Sequence, residues 1–306
     1  MDIGPHLFLA LLEGAVTAAV LALTAAGLSL VFGVMRVVNI AHGEFFMLGA
    51  VLSWGVTQAV AGPGGFVLAL VVAPMLVGAL AVAADVTILK RLGYDPERTI
   101  VATIGLLYIL QQVTLMTYGP DARPVVAPFN ARIALPWLER GAEGWSVIWP
   151  WGFGTTSYKL AVIVAAALLL GALWLFLAHT RAGLVMRATQ ADREMATAFG
   201  VPVERVYALT FGLGAALAAL AAVLIVPISQ AHYLMGADPL LLSFIVVIIG
   251  GLGSLPGTLV AAVLIGISDG IISVFFSPTL AKILATLLVA LVLVFRPQGL
   301  FGKRAA

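Results

Sequence analysis

The sequence predicts an all-α protein of the membrane, a polytopic bundle of about eight to ten spanning helices, some of them broken or re-entrant. Three observations carry this. Of 306 residues, 62% are hydrophobic and only 10% are charged, whereas soluble domains carry about 25% charged residues. The apolar residues come in long runs, and about 20 of them cross a hydrocarbon core of about 30 Å. The runs lack the ten-residue alternation of a β-barrel, and a helix satisfies its own backbone in lipid.

Runs separated by polar or Gly/Pro-rich breaks place spans at 7–32, 41–61, 65–89, 99–118, 158–179, 205–228, about 239–253, 256–276 and 279–295. The 239–253 run is short and ends in GGLGSLPG, which suits a re-entrant or broken helix. The start, MDIGPHLFLALLEG, has no basic n-region or small-residue cleavage site and is expected to open the first span. No linker divides the chain, so residues 1–306 are expected to form one transmembrane domain.

Basic residues in short loops set the orientation. Lys90, Arg91 and Arg98 lie in one loop, Arg181, Arg187, Arg193 and Arg205 in another, and Arg296, Lys303 and Arg304 in the tail. An even number of spans separates each group from the next, so all three are expected in the cytoplasm. The N-terminus and the 119–157 loop then lie outside, where Trp137, Trp145, Trp149 and Trp151 suit an interfacial segment.

The chain has no cysteine and a net charge of +2. There is no disulfide framework, no thiolate site and no cysteine nucleophile, and nothing in the charge suggests nucleic acid. No G-x-x-x-x-G-K-[ST] occurs, so the chain is not expected to hydrolyse ATP. His6, His42, His179 and His232 are scattered without metal-ligand spacing. No cofactor is expected, and an intramembrane enzyme would lack its catalytic constellation.

Residues 180–205 are the most polar stretch. Leu184 to Phe199 has helical composition, Gly200 suits the residue that ends a helix, and Pro202 can open the next. A short helix outside the bilayer follows. It is either a connector packed on its own helix ends or a slim surface offered to another protein.

Taken together, five segments resemble a known family. REMATAFGVPVERVYALTF looks like the coupling loop of ATP-binding cassette importer permeases, with the Glu-Ala-Ala element changed to Glu194-Met195-Ala196 and Gly200 following. GLSLVFGVMRVVNIAHGEFFMLGA (27–50), ATIGLLYILQQ (102–112), RAGLVMRATQADREMATAFGVPVERVYALTF (181–211), GGLGSLPGTLVAAVLIGI (250–267) and LVFRPQGLFGK (293–303) resemble the LivH-type permeases of branched-chain amino acid importers. They stand in family order. NIAHGEFFMLGA and the short N-terminus favour the LivH-type half over its LivM-type partner. The resemblance implies a bacterial inner-membrane permease working with two ATP-binding cassette subunits, a LivM-type second permease and a periplasmic or extracellular solute-binding protein. It implies branched-chain or other hydrophobic amino acids as solute, with urea, amides or aromatic acids as the alternative within the class. An ion-coupled secondary transporter is the competing reading, and Glu44 would be its fair candidate carboxylate. The coupling residues implied are Glu194, Ala196 and Gly200, with Arg187 and Arg193 as charge partners, within a cytoplasmic loop at about 181–204.

The resemblance also makes 27–50 part of the pathway-lining core. Asn39, His42 and Gly43 share one helical face by spacing. Asn39 is expected as the N-cap of a broken helix and His42 as its N3 residue, while Glu44 sits in the first turns, where the helix dipole favours an acid. Either these residues tie the break or they touch the solute. Gln112 is the fourth pathway candidate. Gly250, Gly251, Gly253 and Pro256 loosen the backbone before the next span. Gly253 and Gly257, like Gly266 and Gly270, have the small-xxx-small spacing of close helix packing. The GLGSLPG stretch echoes the polar break at 39–49 without enough identity to define a repeat. Asp269 is placed in the outer third of its span, Glu13 at an interface, and Asp85 in a salt bridge near Lys90 and Arg91.

Overall fold

The computed structural model describes residues 3–134, 137–141, 144–148, 154–296 and 298–301. Every predicted span has its helix. These are α1 (Ile3–Met35), α2 (His42–Ala59), α3 (Pro63–Ala84, continued by a π-turn at Asp85–Leu89), α4 (Pro96–Tyr118) and α5 (Ser157–His179). After α6 (Arg181–Ala191) and α7 (Arg193–Ala198) come α8 (Val203–Ser229), α9 (Ala237–Gly250), α10 (Leu255–Phe275) and α11 (Pro278–Phe295). Seven of these are long and apolar enough to cross a membrane. The polar first turn of α2 and the 14-residue length of α9 set those two apart.

The boundaries follow from the local chemistry. Asp95 accepts from the Arg98 amide at 3.0 Å and is followed by Pro96 at the start of α4. Ser277 caps α11 at the Leu280 amide, again just ahead of a proline. A capping oxygen satisfies an orphan amide, and proline there sacrifices none. In the 119–157 loop, β1 (Arg132–Ala134) pairs antiparallel with β4 (Gly154–Thr156), and β2 (Trp137–Gly141) with β3 (Gly144–Ile148). The expectation for the four tryptophan side chains falls outside the described residues.

Two helices form the centre. The spanning window of α1 is 83% buried and that of α8 is 72%, against 11% for α11. Small residues let backbones approach: Gly266 lies on Ala18 and Gly270 on Gly14, the close packing that their spacing predicted, here joining α10 to α1, and Gly27 lies on Gly214, joining α1 to α8. Phe45 meets Phe211 edge to face at 5.8 Å.

The three basic segments gather at one end. Lys90 pairs with Glu204 at 2.8 Å, joining the 90–95 loop to α8. Gln190 of α6 donates to the Gly253 carbonyl at 2.9 Å, and the Leu300 amide to the Ile249 carbonyl at 2.7 Å. Lys303 and Arg304 lie outside the described residues. At the opposite end, Lys159 of α5 pairs with Glu13 of α1. One expectation is corrected. Asp85 makes no salt bridge with Lys90, because Glu204 takes that lysine. Asp85 is fully buried and accepts instead from the Tyr94 hydroxyl at 3.3 Å. Burial, and then the adjacent Asp85, push the Tyr94 hydroxyl above the ordinary tyrosine value, so it stays a donor.

Candidate functional site

The central feature is a pair of half-helices that meet inside the bundle. α1 ends at Met35, where Arg36 takes φ +55° and turns the chain. Residues 36–41 then run back into the protein without helical structure. The Ile40 amide donates to the Thr103 hydroxyl of α4 at 3.2 Å, and the Asn39 side chain accepts from the Ala41 amide at 3.1 Å. The predicted cap is therefore shifted. Helix α2 begins at His42, after an Ala41 that makes no side-chain cap bond. Asn39 closes a turn two residues on, as asparagine does ahead of an entering helix, and His42 is the first helical residue rather than the third.

His42 is fully buried, and its Nε2 donates to the Thr24 carbonyl in mid-α1 at 2.9 Å. Thr24 lies eleven residues before Met35, about 16 Å along the helix, so α2 starts well inside the bundle. Gly43 sits with its Cα against the Gly236 carbonyl, just ahead of α9. The chain reaches Gly236 from the end of the bundle at which Ala231 pairs with Arg123. From there α9 runs back to Gly250, which abuts Gly257 in the first turn of α10. Two non-helical segments thus enter from opposite ends, and the half-helices that follow them leave in opposite directions. The counterpart of the 39–49 break is therefore 230–238, not the Gly-rich 250–257 turn that echoed it in sequence.

Each half-helix points a positive N-terminus at this junction, and each carries an acid in its first turn, Glu44 in α2 and Asp238 in α9. Glu44 is only 3% exposed, and its Oε2 has no hydrogen-bond partner among the described residues. Asn39, His42 and Glu44 thus come together, all buried. Gln112 does not join them: it stands exposed on α4.

The second feature is the α6–α7 elbow. The predicted single helix at 184–200 is two helices, because Asp192 adopts an extended backbone and caps α7 through the Met195 amide at 3.0 Å. Aspartate competes for backbone amides better than it continues a helix. The elbow is pinned by Arg193, whose guanidinium lies 5.5 Å from the Tyr207 ring centre, and by Ala196, which is buried. Arg187 donates to the Ala178 carbonyl at 3.3 Å. Gly200 ends α7 at φ +82°, a backbone that L side chains adopt only with strain. Glu194 is exposed. The residues that sequence reasoning missed here are Met195, 54% exposed, and Phe199, 82% exposed. Their signal is an apolar pair four apart in a short helical stretch outside the spans.

Beside the elbow lies a cleft of about 890 Å³, lined among others by Arg36, Trp174, Arg187, Gln190, Gly253 and Pro256, with no acid among the described residues of its wall. The 251–254 turn closes one side of it. Gly251 and Gly253 take positive φ there, and Ser254, missed in the sequence, caps α10 through the Gly257 amide at 3.3 Å with Pro256 just inside the helix.

A bundle with opposed half-helices at its centre and an apolar-tipped elbow at one end has the form of a transport protein. Residues 10–294 match the family described as "Branched-chain amino acid transport system / permease component", and the chain belongs to that family. It is a multi-pass inner-membrane permease subunit, not an enzyme, and it serves a transport system with ATP-binding cassette subunits. Among its relatives is the high-affinity branched-chain amino acid transport system permease protein LivH of Escherichia coli, 30% identical over 92% of this chain and 91% of the relative. The LivH protein of Salmonella typhimurium is 29% identical over the same shares. The permease protein BraD of Pseudomonas aeruginosa is 27% identical over 97% of this chain and 96% of its own length. No solved structure matches the chain.

Proposed function

We propose that this chain is the LivH-type half of an importer that carries branched-chain amino acids into the cell, and that 1–306 work as one permease domain. The α6–α7 elbow carries the reading. It is a rigid, capped turn that exposes Met195 and Phe199 to no partner within the chain's described residues, at the end where the basic loops gather. On this reading that end is cytoplasmic, and the elbow seats in a cleft on one of two ATP-binding cassette subunits. Gly200 and Ala196 set its shape, Arg193 anchors it on α8, and Arg187 and Glu194 supply charge at its rim. A LivM-type permease is the second pore subunit, and a solute-binding protein docks at the opposite end.

The solute path runs past the half-helix junction. Half-helix N-termini at the membrane interior are a recurring way to build such a path. Asn39 and His42 hold the break, and Glu44 supplies its unpaired oxygen. Gly250, Gly251, Gly253, Pro256 and Gly257 form the close-packed turn through which motion of the elbow reaches α9 and α10. ATP-driven closure shifts the elbow between two positions, and coupling is the difference in contact between them.

Affinity purification of the tagged permease from native membranes is expected to recover two ATPase subunits, a second permease and ATP-dependent uptake of branched-chain amino acids. Phe199→Asp is expected to leave the amount of folded permease unchanged and to cut that uptake at least tenfold. Recovery of the permease alone, accumulating solute on an ion gradient without ATP, would overturn the reading.

A further inference from the structure

Three charged side chains stand together on one outer face of the bundle, in the first turn of α9 and one to two turns inside the outer ends of α10 and α11. Lys282 of α11 donates to Asp238 of α9 at 2.6 Å, and the two side chains remain 41% and 64% exposed. Asp269 of α10 is half-buried and within electrostatic reach of both. Depth can be counted from the elbow end. Asp238 is twelve residues from Gly250, Lys282 thirteen from Phe295 and Asp269 fourteen from Leu255. At 1.5 Å per residue these are about 18 to 21 Å, within a hydrocarbon core of about 30 Å.

Exposed charges inside the hydrocarbon region are costly against acyl chains. Ionisable side chains inside a membrane face a bundle interior or a water-filled cavity. Long lysines near helix ends can snorkel to headgroups, but Lys282 is turned to Asp238 instead. The face that carries them is otherwise apolar, with Leu241 47% and Ile283 58% exposed. An exposed ion pair inside an apolar, half-open face is a site with one cationic and two carboxyl groups whose outer sides are unused.

An α-amino acid in its zwitterionic form carries a carboxylate and an ammonium on one carbon. Placed between Lys282 and Asp238, it replaces one ion pair by two and adds no net charge. Asp269 offers a further acceptor to the ammonium, which has three N–H donors. The apolar residues beside the pair would take a branched hydrocarbon side chain. We infer that Asp238, Lys282 and Asp269 line a water-filled path between this chain and the second permease and hold the two ends of the transported amino acid, Lys282 the carboxylate and Asp238 with Asp269 the ammonium. This rests on the function proposed above. It also names residues outside the Asn39–Glu44 break, reached through the contact of Gly236 with Gly43.

The test uses the whole importer in proteoliposomes, with leucine as probe. Lys282→Gln and Asp238→Asn are each expected to lower kcat/KM for uptake at least tenfold, and Lys282→Arg to stay within threefold of wild type. The chain has no cysteine, so Asp269→Cys gives a single thiol. It is expected to react with a charged, membrane-impermeant thiol reagent, more slowly in the presence of leucine, while Leu168→Cys on an exposed face of α5 stays unreactive. If the charge variants do not accumulate, the labelling decides. Wild-type leucine uptake with all variants within twofold, or an Asp269→Cys as inert as Leu168→Cys, would overturn the inference and leave the importer reading standing. Full recovery by the double reversal of Asp238→Lys with Lys282→Asp would mark the pair as structural and also overturn it. A wild-type importer that moves no amino acid with ATP would instead bring down the proposed function.

Discussion

Gly43 shows how much rests on single atoms. A methyl group added there would strike the Gly236 carbonyl and lie 2.8 Å from Leu240 Cβ, against a backbone that cannot rotate away. Overpacking of this kind costs about 1–3 kcal/mol. Gly105, in the interior of α4, has nothing within 4 Å of the same added carbon. There alanine lowers the entropy cost of helix formation by about 0.5–1 kcal/mol. Gly43→Ala is therefore expected to lower the thermal unfolding temperature of the purified protein, and Gly105→Ala to raise it. Equal effects would show that the half-helix junction is looser than its geometry. His42 and Glu44 differ in the same local way. The histidine is tied to Thr24, whereas one oxygen of the glutamate is left without a partner. A sequence pattern places both on a helix start but cannot say which of them is bound.

At the scale of elements, the elbow depends on its cap. Asp192 supplies the bond that starts α7, and an aspartate N-cap replaced by alanine costs about 1 kcal/mol. Asp192→Ala is expected to speed hydrogen exchange at the amides of 195–199 about fivefold, with exchange in α8 unchanged. No change would mean that α7 is held by Arg193 and Ala196 alone. The Lys90–Glu204 pair is a weaker tie. Both side chains are about half exposed or more, and pairs of that kind contribute about 0.2–1 kcal/mol. The basic loops share an end because the helices between them cross in even numbers, not because this pair gathers them.

At the scale of the whole molecule, the structure requires that the 90–95 loop, the elbow and the C-terminal segment share one side of the membrane. Arg91→Cys, Phe199→Cys and Leu300→Cys are each expected to react with an impermeant reagent only from the cytoplasm, and Val126→Cys only from outside. Mixed accessibility among the first three would contradict the fold, not only its orientation. The ladder of small residues between α1 and α10 and between α1 and α8 makes the bundle one rigid centre. Motion between states is then left to the parts joined by turns: α9, the 251–254 turn and the elbow.

Much of this was legible in the sequence. All nine apolar helices, seven of them long and apolar enough to span, the sharing of an end by the basic segments and the family could be read from runs, charges and motifs, because solvation in lipid imposes length and composition on each segment by itself. The spacing of Gly266 and Gly270 likewise announced a close helix contact, though not that α1 makes it. What only the tertiary structure decided are relations across the chain. The inverted pairing of 36–44 with 230–238, the Tyr94 partner of Asp85, and the meeting of Asp238 with Lys282 and Asp269 bring together residues up to about two hundred positions apart. Asp238 reads in sequence as a residue outside a short span. It lies level with the half-helix junction only because the chain re-enters the bundle before α9 begins, and no local pattern records how far a non-helical segment travels before its helix starts.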